Sequence, residues 1–188
     1  AYISAQDGDR TTLTVGYSVP VASGVRGQVT SFMNDGDVTV SLFAGSSTTP
    51  KYTVSVPGGT KDSAGKYTAT YDIPEVAPGT YTMQVSKNKH VTREYTVTVS
   101  GDAKTQNAEI WLLGDVNGDG LINMTDASQI ERKFNGKTSV FDTGDAEIKA
   151  YRLKVANVYF SDDNINTTDA AQIKRYYNGK SSVFDAID

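Results

Sequence analysis

Six residues between Asp115 and Asp126 have the types and the spacing to bind a hard divalent cation. Twelve-residue calcium loops place oxygen ligands at positions 1, 3, 5, 7, 9 and 12, with a glycine at position 6 where the backbone turns sharply. Gly120 occupies position 6 of this segment. We therefore predict a calcium site rather than a metal-free hairpin built on Asn-Gly and Asp-Gly turns. The predicted ligands are the side chains of Asp115, Asn117, Asp119, Asn123 and Asp126 and the backbone carbonyl of Leu121.

A second, imperfect copy of this pattern follows 43 residues later, and residues 122–142 and 165–185 share 15 of 21 aligned positions. In this copy Phe160 falls where a ligand belongs, and no glycine occupies position 6. One inserted residue would restore the pattern as a 13-residue loop that begins at Asn157. Fewer carboxylates and an irregular loop predict weaker calcium binding, or an empty loop. The predicted ligands are Asn157, Asp162, the Asn164 carbonyl, Asn166 and Asp169.

Each loop is followed by the pattern of a short amphipathic helix. Ala127, Ile130 and Phe134 recur at helical spacing after a polar start at residues 123–126, and Asn135-Gly136 is a typical stop signal. We predict that these apolar positions form a buried stripe. The second copy repeats the pattern with Ala170, Ile173 and Tyr177, followed by Asn178-Gly179.

The segments before the two loops are less regular. Residues 107–113 are apolar and β-like, which predicts an extended entry into the first loop. Residues 146–155 predict a third helix with Ile148, Tyr151 and Val155 on one side. Neither loop is preceded by a helix typical of an EF-hand, so we predict two EF-hand-like loop–helix motifs in an all-α carboxyl-terminal domain.

The signature Asp-Val-Asn-Gly-Asp-Gly-x-Ile-Asn-x-Thr-Asp, followed by the duplicated helix, resembles the type I-like dockerin modules of cellulosome-type bacterial assemblies. The resemblance covers residues 114–188. It implies a non-catalytic module that binds a cohesin on a scaffoldin or a cell-surface anchoring protein in a calcium-dependent way. Such binding assembles a polysaccharide-degrading complex, which gives an indirect link to plant polysaccharide.

The resemblance also implies which residues meet the cohesin, namely loop positions 10 and 11 and the exposed face of the following helix. Because the two copies are so alike, two binding orientations follow as a hypothesis. The charge reversal from Glu131 to Lys174 predicts that the two orientations differ in affinity. The implied contact residues are Met124, Thr125, Glu131 and Arg132 in the first copy, and Thr167, Thr168, Lys174 and Arg175 in the second.

The chain before these motifs has a different pattern, in which apolar and polar residues alternate between Gly, Pro and Asn turns. This pattern predicts an all-β sandwich of about seven strands. Residues 65–95 carry a resemblance, which covers roughly residues 25–100, to transthyretin-like or carboxypeptidase-regulatory-like sandwiches, and these are similar to the X-modules that precede some dockerins. We predict an X-module at residues 1–107 and a dockerin at residues 108–188. The alternating stretches are residues 11–17, 38–42, 52–56, 67–71, 81–85 and 95–99.

Two other functions were weighed against docking. A calcium-stabilised carbohydrate-binding module would stack sugar rings on exposed aromatics such as Tyr2, Tyr17 and Tyr52, but tyrosine is also an ordinary strand residue. A calcium sensor would need a Met-rich groove, and three scattered methionines do not predict one.

Composition argues against several further classes. Without cysteine, and with His90 as the only histidine, the chain has no Cys–His pair or His-rich zinc site, and we expect no enzyme activity. We expect His90 to be an exposed loop residue. A net charge of −4 without a basic stripe argues against nucleic acid, and no apolar run approaches the roughly 18 residues of a membrane span. We expect a secreted, extracellular or cell-surface location, as part of a longer chain.

Overall fold

Nine strands and three α-helices follow one another in the computed structural model, which describes residues 23–33, 36–161 and 164–186. The strands come first and form two facing sheets. One sheet has the order β4 (Thr60–Lys61), β5 (Tyr67–Pro74), β1 (Gly24–Ser31) and β8 (Lys104–Thr105), with β9 (Ala108–Glu109) also paired to β1. The other has the order β3 (Tyr52–Val56), β2 (Val38–Ala44), β6 (Gly79–Ser86) and β7 (Arg93–Val99).

The sandwich core follows from the period-2 alternation of these strands, because alternate side chains point to one face of a sheet. In β5 and β6 every second residue is buried across the central part of the strand. This confirms the predicted β-sandwich, and all five alternating stretches within the described residues lie in strands. The stretch at residues 11–17 lies outside the described residues. Buried contributors to the core include Val25, Val29, Val40, Leu42, Tyr71, Ile73, Met83, Val85 and Val97.

Strand β1 was not recognised in the sequence, because Gly24 and Gly27 interrupt its alternation. The structure shows why Gly27 is there. A Cβ at this position would lie 2.1 Å from the carbonyl oxygen of Gln106, so the chain between β8 and β9 can pass only against a glycine. Ala108 and Ile110 then pack into the sandwich core, past the border that we predicted at residue 107.

The helices are α1 (Met124–Phe134), α2 (Ala146–Ala156) and α3 (Thr167–Tyr177). Helices α1 and α3 begin in the same way, with Asn123 and Asn166 as N-caps at φ −148° and ψ −170°. Each cap forms a capping box with the aspartate three residues later. Short 3₁₀ helices at Val140–Asp142 and Val183–Ala186 follow α1 and α3 and form the ends of the two repeats.

Helices α1 and α3 pack against each other through fully buried Ala127, Ile130, Ala170 and Ile173. The predicted stripe is wrong at its last position in both copies, because Phe134 and Tyr177 are 57% and 56% exposed. The helices touch at the Ala and Ile positions, and the side chains of Phe134 and Tyr177 lie outside that contact.

Helix α2 occupies the predicted third helix and ends at Asn157, the start of the second loop. The predicted third helix therefore leads directly into the second loop. Tyr151 and Val155 of α2 are buried against Trp111, Leu112 and Phe32, which joins the helices to the sandwich. No helix in the described parts of the chain is both long and apolar enough to span a membrane.

Candidate metal loops and docking face

The first loop is organised around Asp115, whose side chain is fully buried. Its Oδ1 accepts hydrogen bonds from the backbone N–H of Gly118 at 2.8 Å and of Asp119 at 3.1 Å. Its Oδ2 accepts from Gly120 N–H at 2.8 Å. One carboxylate at loop position 1 thereby fixes three consecutive peptide groups of the central turn.

Asp126 closes the same loop from the first turn of α1. Its Oδ1 accepts from Val116 N–H at 2.8 Å, and its Oδ2 accepts from Asn123 N–H at 3.0 Å. Asp126 thus caps α1 and ties the end of the loop to its beginning, so a single residue serves both helix and loop.

The remaining side chains predicted as ligands also accept loop N–H groups. Asn117 Oδ1 accepts from Asp119 at 3.1 Å, and Asp119 Oδ1 accepts from Leu121 at 2.9 Å. Asn123 Oδ1 accepts from Thr125 at 2.6 Å. The local backbone therefore gathers the five side chains of the predicted ligand set into one short loop.

The first loop therefore holds the carboxylates of Asp115 and Asp126 close together and away from solvent. Burial, together with the nearby carboxylates of Asp126 and Asp119, raises the pKa of Asp115 to about 7, although the hydrogen bonds from Gly120 and Gly118 act in the opposite direction. Burial likewise raises the pKa of Asp126 to about 6. A divalent cation would favour the charged form of both groups.

The donor set fits calcium, because its ligands are carboxylate, amide and carbonyl oxygens. Within the described residues no three acidic, imidazole or thiol groups converge on one point. The three carboxylates of the predicted first site, Asp115, Asp119 and Asp126, therefore do not converge on one point in this structure.

The second loop repeats the closing hydrogen bonds of the first. Asp169 Oδ1 accepts from Val158 and Tyr159, both at 3.0 Å, and Oδ2 accepts from Asn166 at 2.9 Å. Asp126 makes the same bonds to Val116, Asn117 and Asn123.

This correspondence matches Val158 to Val116, and hence Asn157 to Asp115. Val116 and Asp126 are 10 residues apart in the sequence, whereas Val158 and Asp169 are 11 apart. The second loop therefore contains one extra residue between Val158 and Asp169. Tyr159 takes the place of Asn117, so a phenol replaces an amide. Of the predicted second-loop ligands, Asp162 lies outside the described residues.

Residues 113–149 match the family model described as the dockerin type I domain. The chain carries a dockerin domain. The match includes the first loop, α1 and the beginning of α2, and domains of this family generally bind calcium.

Solved structures give two further similarities. An N-terminal interface mutant of a type II cohesin–X-dockerin complex from Acetivibrio cellulolyticus is 20% identical, with 87% of this chain and 99% of that chain covered and a TM-score of 0.34. A C-terminal interface mutant of the same kind of complex is 21% identical, with coverages of 82% and 94% and a TM-score of 0.34. A TM-score this low does not establish a shared fold. No curated protein matches the chain.

Six of the eight predicted contact residues of the dockerin are exposed, and Glu131 and Lys174 are half-buried. The two arginines have equivalent surroundings, because Arg132 Nε donates to Thr138 O and Arg175 Nε donates to Ser181 O, each at 2.6 Å. Helices α1 and α3 therefore present closely similar surfaces. The exposed residues are Met124, Thr125, Arg132, Thr167, Thr168 and Arg175.

Sequence reasoning missed an apolar groove at one end of the dockerin face. The groove lies where the start of α1 meets the end of α3 and has a volume of about 650 Å³. Five of the eight large apolar side chains exposed in the described residues line it. A sequence signal existed for part of it, because Tyr176 stands opposite Lys133 in the repeat alignment. The five side chains are Met33, Leu121, Met124, Tyr176 and Tyr177.

Proposed function

We propose that this chain is a non-catalytic docking module that binds a cohesin in a calcium-dependent way. The observation that carries the proposal is the duplicated loop and helix, with identical capping geometry in both copies, within a chain whose residues 113–149 match the dockerin family. The cohesin belongs to a scaffoldin or to a cell-surface anchoring protein. Docking then assembles a polysaccharide-degrading complex outside the cell.

In this proposal, two calcium ions stabilise the loops from which the docking helices begin. When bound, calcium supplies a positive centre that neutralises the buried loop carboxylates and adds its binding free energy to folding. Asp115, Asn117, Asp119, Asn123, Asp126 and the Leu121 carbonyl hold the first ion. Asn157, Asp162, Asn166, Asp169 and the Asn164 carbonyl hold the second, more weakly, because this loop has fewer carboxylates and one extra residue.

The cohesin meets the face formed by α1 and α3. Loop positions 10 and 11 of both copies are exposed, as are the arginines of the same helices, which supports contact through Thr125 and Arg132 or through Thr168 and Arg175. The near-identity of the two surfaces supports two binding orientations. The apolar groove adds an asymmetric feature at one end of this face.

The β-sandwich acts as an X-module that supports the dockerin. It is joined to the helical part by the buried cluster of Phe32, Trp111, Leu112, Tyr151 and Val155. The backbone adds to this junction, because Val91 N–H donates to Trp111 O at 3.0 Å and Leu113 N–H donates to Lys89 O at 2.9 Å.

Calorimetric titration of a panel of cohesin modules into this chain, with calcium and with EDTA, tests the proposal. We expect one-to-one binding to one cohesin class in calcium and none in EDTA. A chain that is folded with calcium but binds no cohesin would overturn the docking function. In that case binding of polysaccharide by the sandwich is the alternative to measure.

A further inference from the structure

The two calcium loops are entered from different parts of the molecule. The second loop follows α2 directly at Asn157. The first loop follows an extended segment that is paired with the sandwich, through the bridge between His90 and Leu112 and the strand β9. The first loop is thus entered from a segment that pairs with the sandwich, whereas the second is entered from a helix.

Two aromatic rings lie against the glycines of the first loop. A Cβ at Gly120, loop position 6, would lie 2.2 Å from Cδ1 of Phe32, and a Cβ at Gly118 would lie 2.7 Å from Cε2 of Trp111. Both glycines have positive φ, 85° and 77°. The sharp turn of the loop is therefore packed directly on the two rings, which are 3% and 5% exposed.

Phe32 is itself held in place by the connection between β6 and β7. Its backbone N–H donates to Nε2 of His90 at 3.1 Å, and its carbonyl accepts from Nζ of Lys87 at 3.2 Å. The same Nζ also bonds Ser31 Oγ at 3.2 Å and the Met33 carbonyl. His90 is thus a half-buried structural residue, not the exposed loop residue that we expected.

We propose that Phe32 and Trp111 are positioning residues for the first calcium loop, so that the sandwich sets the calcium affinity of this loop and not of the second. This inference rests on the calcium sites of the proposed function. Rings packed on the turn restrict the loop to fewer conformations, so binding has less conformational freedom to remove. The second loop contains no glycine that could admit such a ring.

The coupling works in both directions. If the packing of the sandwich raises the calcium affinity of the first loop, bound calcium must stabilise that packing by the same free energy. Calcium in the first loop therefore stabilises the end of β1 and the sandwich behind it. Calcium removal loosens the junction as well as the helices.

A calcium titration of the full chain followed by amide NMR tests the inference. The amides of Gly118 and Gly120 report on the first loop, and those of Val158 and Tyr159 report on the second. In Phe32→Ala we expect calcium affinity of the first loop to fall about tenfold, within the usual range of coupling between sites, with the second loop unchanged. Equal affinities of the first loop in Phe32→Ala and the wild type would overturn the inference.

Val76→Ala is the matched control, because Val76 is fully buried in the sandwich core and outside the cluster around Phe32. It weakens the sandwich without touching the loop, and we expect unchanged affinity at Gly120. An equal loss in Val76→Ala would show that only global stability matters, which also overturns the inference. If Phe32→Ala does not fold, Phe32→Leu gives the same comparison with a smaller change. A wild type without calcium-dependent shifts would instead refute the calcium sites of the proposed function.

Discussion

Glu131 and Lys174 occupy the same position in the two repeats, and they form an ion pair with Nζ and Oε1 2.5 Å apart. Equivalent residues can meet in this way only near an axis that relates α1 to α3. Two glutamates or two lysines there would repel each other. The charge reversal therefore has a structural explanation within the chain, besides the difference in partner affinity that the sequence suggested.

Reversing one charge of this pair should destabilise the helical part. For Glu131→Lys we expect a loss of about 0.5–1 kcal/mol in the free energy of unfolding, because both side chains are more than a third exposed and solvent screens the pair. Urea unfolding at low and high salt measures the loss, which should shrink at high salt. The double variant Glu131→Lys with Lys174→Glu is the control and should recover stability. A double variant as unstable as the single one would show that the ion pair contributes nothing.

Calcium should raise the stability of the chain through the first loop. At a free calcium concentration about 100 times the Kd, the expected gain in the free energy of unfolding is about 2.7 kcal/mol. Asp115→Asn should remove most of this gain, because it takes away the carboxylate at loop position 1. Thermal unfolding in calcium and in EDTA measures the difference, with Asp102→Asn, outside both loops, as the control. Equal gains in Asp115→Asn and the wild type would contradict the assigned ligand.

The N-cap asparagines have a role that can be separated from calcium. Asn123 accepts from Thr125 N–H at 2.6 Å, and Asn166 accepts from Thr168 N–H at 2.7 Å. In EDTA, Asn123→Ala should cost about 1 kcal/mol in the free energy of unfolding, the usual cost of a lost N-cap. Asn123→Asp keeps a capping oxygen and should cost much less. If both variants are as stable as the wild type in EDTA, the cap does not contribute.

The two arginine faces allow a direct test of two binding orientations. Thr125→Ala with Arg132→Ala alters the first copy, and Thr168→Ala with Arg175→Ala alters the second by equivalent changes. If the orientations are equal, each double variant loses about twofold in cohesin affinity, since one of two modes remains. The quadruple variant should lose binding altogether. Complete loss of binding from the first double variant alone would rule out the second orientation.

Much of the candidate site was predictable because its information is local. The spacing of oxygen ligands around Gly120, the capping pairs Asn123–Asp126 and Asn166–Asp169, and the stop at Asn135 all act within one or two helical turns. The period-2 alternation likewise predicted the sandwich, since it decides which side chains share a face of a strand.

Other features depended on distant parts of the chain. In the sequence Gly27 interrupts the alternation of strand β1, and only the structure shows that Gln106 packs against it. The helical spacing predicted Phe134 as a core residue, but it lies outside the contact between α1 and α3. The pairing of Phe32 with Gly120 links strand β1 to the first loop, and no local pattern contains both residues.

The sequence by itself thus indicated the positions of the loops, the ends of α1 and α3, and five of the nine strands in the described residues, because short-range hydrogen bonds and side-chain periodicity depend on neighbouring residues. Only the tertiary structure decided that Glu131 meets Lys174 and that the sandwich packs on the first loop. The physical reason is that such contacts depend on how whole elements pack, and this packing is set by the buried surfaces of the entire chain.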